Sequence, residues 1–190
     1  MTLHEAMHAY ASYWLGDDTA KHHGRLTLNP LAHIDPIMTV LLPLALAASG
    51  LPPFGAAKPV PFNPYRLKYG EFGAAIVGAA GPLTNLVLAI IASILLRLFG
   101  AGLDPSITDV IYLFVLVNAS FFLFNIIPFP PLDGSRVLYA LAPDPVRRVM
   151  ERIESMGIMA ILFFFLIFST FLAAPFSRLL DVFITFLVGG

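Results

Sequence analysis

No charged residue lies between Glu71 and Arg97. That run exceeds the roughly 20 apolar residues a helix needs to cross about 30 Å of hydrocarbon. Hydrocarbon offers the backbone no hydrogen-bond partners, so such a run must fold as a helix or join a closed barrel. A second run, 107–127, carries one charge, Asp109, near its start, and a third, 156–174, carries none. Only 12% of the chain is charged, 58% is hydrophobic, and the mean hydropathy is +0.82. A soluble domain is nearer a quarter charged. The expected fold is an all-α polytopic membrane protein, a helical bundle forming a single integral domain over 1–190. Its core helices are expected at about 1–15, 71–99 and 107–127, with C-terminal membrane segments at 156–174 and 175–190. The net charge of −1 gives no electrostatic case for nucleic acid. The absence of cysteine excludes disulfides and thiolate ligands.

Against this apolar background, His4, Glu5 and His8 form the pattern HExxH. Residues four apart on a helix lie one above the other, so both imidazoles reach one metal ion. Glu5 follows the first ligand and is placed to take a proton from an attacking water. A catalytic zinc site takes three protein ligands and keeps one position open, so a third ligand must come from elsewhere. Only 15 residues precede Gly16, which makes this first helix short for a full span.

The rest of the chain is more varied. Residues 17–33 are polar; His22 and His23 are adjacent and suit a solvated loop better than a metal site. The alternation Arg25, Leu26, Thr27, Leu28 reads as a short β segment. Segment 34–50 is apolar but short and interrupted by Pro36 and Pro43, as a re-entrant or interfacial piece would be. His33 and Asp35 bracket its start as caps. Lys58, Pro59, Val60, Pro61 and Phe62 are kept from helix by their prolines and read as an exposed or edge strand. Asn85 is a polar group at membrane depth and must pair with a neighbouring helix or with a substrate. Beyond the helix ending near 127, Pro128, Pro130 and Pro131 stiffen the segment that carries Asp133. An acid in such a setting is costly unless bound, which nominates Asp133 as the third metal ligand; the other reading is a cap or an Asp-Gly turn. Residues 135–155 are charged and amphipathic, as expected of a helix at the membrane surface.

Taken together, the chain resembles the site-2 protease family of intramembrane zinc metalloproteases. The matching residues are His4, Glu5 and His8; Gly81 and Asn85 in a GxxxN pattern; and Asn125, Pro128, Pro130, Leu132, Asp133 and Gly134. The resemblance implies a three-helix catalytic core and one zinc ion per chain, held by His4, His8 and Asp133. It implies Glu5 as the catalytic base, Asn85 and Asn125 as substrate-binding or site-orienting groups, and membrane-embedded proteins as substrates of regulated intramembrane proteolysis. Other readings are a membrane transporter or metal-handling protein, since intramembrane His and carboxylates also mark ion pathways, and an inactive partner-binding relative. The intact Glu5 speaks against both.

Basic residues suggest an orientation. If 34–50 does not span, every Lys and Arg except Arg97 and Arg178 falls in 16–33, 51–71 or 128–155, on one membrane face. Lys and Arg mark the cytoplasmic side, so the active site of a cell-membrane protein is expected to open to the cytoplasm.

Overall fold

The computed structural model describes residues 1–50, 55 and 57–189. Its elements are helical, and among the described residues there is no strand. The chain divides into two compact units, Met1–Gly81 and Pro82–Gly190, with the boundary inside one long helix.

The first unit opens with α1 (Thr2–Trp14). Ala6, Ala9, Ala11 and Ser12 line its buried face, and such small side chains let other backbones approach closely. Ala11 packs with Leu67, Ala74 and Val77, while Ala9 packs with Ala20 and Val60. The helix ends before Gly16, whose φ of 103° suits glycine. Asp17 is fully buried. Its carboxylate accepts from the backbone N–H of Asn63 at 2.6 Å and of Thr19 at 3.1 Å, so a buried charge ties the α1 turn to a loop 46 residues on. Exposed Asp18 pairs with Arg66 at 2.8 Å and with His22 at 2.9 Å. The hydrogen bond from His22, first, and the Arg66 charge hold its carboxyl below the usual range. His22 belongs to the single turn α2 (Thr19–His22), and His23 is also exposed, as a solvated loop requires.

The expected β segments are not strands. Thr27 N–H donates to the Arg25 carbonyl in a γ-turn. Arg25 is buried and donates to the Ala32 carbonyl, while Leu26 packs against the Ala9 cluster. Two consecutive inward side chains belong to a turn, and the alternation in sequence is coincidental. Residues 58–62 carry no regular secondary structure; Pro59 and Pro61 remove two ladder donors. Asp35 starts the next helical stretch: its Oδ1 accepts from Ile37 N–H and its own N–H donates to Thr39 Oγ1, a reciprocal cap. The π-helical turn Pro36–Leu41 and α3 (Leu42–Ala48) follow.

Helix α4 (Glu71–Phe99) carries Pro82 in its interior, which leaves the Gly78 carbonyl without its usual donor. In the second unit α5 runs Pro105–Asn125, starting two residues earlier than expected because Asp104 caps it, accepting from Ser106 N–H at 2.8 Å, with Pro105 at the first helical position. Ala89, Ala92 and Leu96 of α4, Val115 and Ala119 of α5, and Ile184 and Leu187 further on form this unit's core. The 135–155 stretch is two helices, α6 (Gly134–Leu141) and α7 (Asp144–Ser155); Pro143 and Pro145 break it.

The C-terminal segments expected to part at Pro175 form one helical run: α8 (Ile158–Ile167), a π-helical turn Phe168–Leu172, and α9 (Ala173–Val188). Pro175 falls in the first turn of α9, after the widened turn, where a missing N–H is tolerated. Among the described residues, three helices are long and apolar enough to cross a membrane: Glu71–Gly102, Pro105–Asn125 and Met159–Val188. Their outward apolar side chains, Ile91, Val110 and Leu166 among them, are more than half exposed, as in a multi-pass membrane protein whose helices face lipid.

Candidate metal centre

In the first unit α1 brings His4 and His8 together. Both are 7% exposed, their rings meet edge to face, and their Nε2 atoms are 3.1 Å apart. Two bonds of about 2.0–2.1 Å to a tetrahedral zinc place the nitrogens roughly 3.3 Å apart. Nδ1–H of His8 donates to the Val77 carbonyl of α4 at 2.7 Å. A carbonyl only accepts, so the proton is on Nδ1 and the Nε2 lone pair of His8 points at His4. Two lone pairs at this separation repel unless a proton or a cation lies between them.

Gly81 supplies the space. A Cβ built there would fall 2.6 Å from His4 Nε2 and closer still to His8 Nε2. The residue facing both Nε2 atoms therefore has no side chain. Two imidazole nitrogens 3.1 Å apart, one ring oriented by a backbone acceptor, and a cleared volume beside them suit a zinc ion. Glu5 is half-buried on the same helix.

The second unit holds Asn85, Asn125 and Asp133. Asn85 is 1% exposed, and its Nδ2 donates to Asn118 Oδ1 at 2.9 Å; Asn118 in turn donates to the Phe114 carbonyl at 2.8 Å. The neighbouring helix is thus one partner of the Asn85 amide. Asn125 donates to the Phe121 carbonyl within its own helix at 3.0 Å. Asp133 precedes α6 with helical φ and ψ and makes no side-chain cap bond, so the capping reading does not describe it. Gly134 faces the Ile126 carbonyl so closely that a Cβ would collide, which fixes how the segment bearing Asp133 folds back on the end of α5.

The family model "Peptidase family M50" matches residues 100–169. A Bacillus subtilis protein named "Putative zinc metalloprotease YwhC" is 41% identical over 175 residues, covering 86% of this chain and 75% of that protein. The chain belongs to peptidase family M50. This is the site-2 protease family of the resemblance. Proteins of the same description named Rip2 are 28% identical in Mycolicibacterium smegmatis and 27% identical in Mycobacterium tuberculosis, over 85% and 87% of this chain. The M50 chain spans 61% and 63% of those two proteins' lengths. No solved structure matches it.

Sequence reasoning missed two members of this M50 site's surroundings. The Val77 carbonyl that orients His8 has no side-chain signal. Gly81 is visible as part of GxxxN, but its clearance of the imidazoles is not. His33, read as a cap, is instead buried, with its Nε2–H donating to the Thr27 carbonyl.

Proposed function

We propose that His4, His8 and Asp133 hold one zinc ion per chain, and that Glu5 is the general base in hydrolysis of peptide bonds of membrane-embedded proteins. The observation that carries this reading is the imidazole pair with its Nε2 atoms 3.1 Å apart opposite a side-chain-free Gly81. Membership of a peptidase family and relatives named as zinc metalloproteases support the metal and the reaction. Zinc, when bound, supplies Lewis acidity that polarises the scissile carbonyl and acidifies the attacking water. Glu5 accepts the water proton and delivers it to the leaving amine. The Val77 carbonyl keeps His8 in the ligating tautomer throughout. Asp133 brings a negative charge that balances the cation in an apolar setting. A substrate helix must unwind locally before attack, because its carbonyls are held in its own hydrogen bonds; such cleavage is regulated intramembrane proteolysis.

Glu5→Gln tests the mechanism. The variant is expected to keep one zinc and lose roughly 100- to 10,000-fold in cleavage, the range for a general base. The assay is purified protein against a panel of single-span membrane proteins, with and without a zinc chelator. A Gln variant cleaving at the parent rate would remove Glu5 from the reaction, and a zinc-loaded parent that cleaves none of the panel would favour the transporter or metal-handling reading.

Orientation belongs to the same proposal. The helical part of 34–50, Pro36–Leu41 and α3, is 13 residues, roughly 20 Å at 1.5 Å per residue and well short of the hydrocarbon thickness. We take it as re-entrant, so that the basic loops around it share the cytoplasmic face and the site opens there. Single cysteines at Lys21 and Tyr65, both exposed, are expected to react with an impermeant reagent in inside-out vesicles only. Labelling of the two from opposite sides would show that this segment spans.

A further inference from the structure

Helix α7 meets α6 through one face. Arg147 donates to the Tyr139 and Ala140 carbonyls at 3.0 and 3.1 Å, Glu151 accepts from Tyr139 O–H at 2.6 Å, and Glu154 pairs with Arg136 at 3.2 Å. Met150 is buried on the same side. These positions, 147, 150, 151 and 154, follow the helical repeat, and the face directly opposite them is formed by Pro145, Arg148, Val149 and Arg152, continued by Met156, with Asp144, Val146, Ile153 and Ser155 on its flanks.

All five residues of that opposite face are exposed, Val149 by 55% and Met156 by 51%. The outer face holds two guanidinium groups one helical turn apart and no carboxylate. Among the described residues, the guanidinium groups of Arg148 and Arg152 make no hydrogen bond or ion pair, whereas those of Arg136 and Arg147 on the inner side are committed; the Arg152 backbone carbonyl accepts from Ser155 Oγ. The helix ends three residues before Ile158, and the membrane-crossing run begins at Met159. A charged and apolar face adjoining a span lies at the depth of the lipid headgroups.

We propose that the outer face of α7 is a docking surface for anionic phospholipid headgroups. Arg148 and Arg152 bind the phosphate-bearing groups, and Val149 and Met156 enter the upper acyl region. Guanidinium forks match phosphate oxygens bidentately, and zwitterionic lipids offer no net charge to hold them. This does not rest on the protease reading.

The native chain has no cysteine, so a single fluorophore at Val149→Cys reports on the lipid beside α7. The full chain is placed in phosphatidylcholine nanodiscs doped with brominated phosphatidylglycerol or with brominated phosphatidylcholine at equal mole fraction. Quenching is expected to favour phosphatidylglycerol on the order of tenfold at low salt, the scale for two basic residues at an anionic surface. The preference should fall toward one in 1 M salt and in the Arg148→Gln/Arg152→Gln variant. Millimolar glycerol phosphate should leave it unchanged. Equal quenching by the two lipids in the parent, a preference that survives the double substitution, or one abolished by glycerol phosphate would each overturn the proposal.

Discussion

Gly81→Ala is expected to lose its zinc. The added methyl would lie 2.6 Å from His4 Nε2 and nearer to His8 Nε2, so the two rings must part. Both rings are buried and His8 is held by the Val77 carbonyl, so parting them disturbs that packing and removes the ligand geometry. Lost ligand orientation costs up to about 100-fold in metal affinity. Alanine in a helix interior is favoured over glycine by roughly 1 kcal/mol, so α4 itself gains. The paired measurement is zinc content by elemental analysis and thermal unfolding of chelator-treated protein. A destabilised variant that still carries one zinc and cleaves would show that Gly81 serves helix packing and not the metal.

Asp133→Asn is expected to weaken zinc binding by a comparable factor and to stop cleavage, with the helices inserted as before. The amide keeps the shape and removes the charge. Asn caps helices about as well as Asp, so a capping role predicts a variant that behaves like the parent. Zinc stoichiometry and cleavage of this one protein separate the two. Retained metal with retained activity would take Asp133 out of the site.

The parts of the fold and site that were legible in the sequence are those governed by short-range periodicity. His4 and His8 meet because a helix repeats every 3.6 residues, and the spans are visible because hydrocarbon tolerates few charges. The errors came where local pattern competed with something not local. Arg25 to Leu28 alternates in sequence, yet Arg25 is drawn inward by the Ala32 carbonyl and Leu26 by the Ala9 cluster. Pro175 reads as a break, and only the preceding π-helical turn makes it compatible with a continuous run. The Val77 carbonyl lies 69 residues from His8; an acceptor on the backbone, at that separation, leaves no trace in residue identity.

The hydrogen bond between Asn85 and Asn118 has a consequence for how such a sequence can drift. Replacing either residue alone by an apolar one removes one hydrogen bond from the other, buried amide, at about 1–3 kcal/mol. Replacing both with apolar side chains of similar shape removes the donor and the acceptor of that bond together, and costs less. The polar pair and an apolar pair are therefore two permitted states, separated by single-step intermediates that are worse than either. A lineage holding one state is kept in it by the cost of the first step, whatever the amides contribute to chemistry.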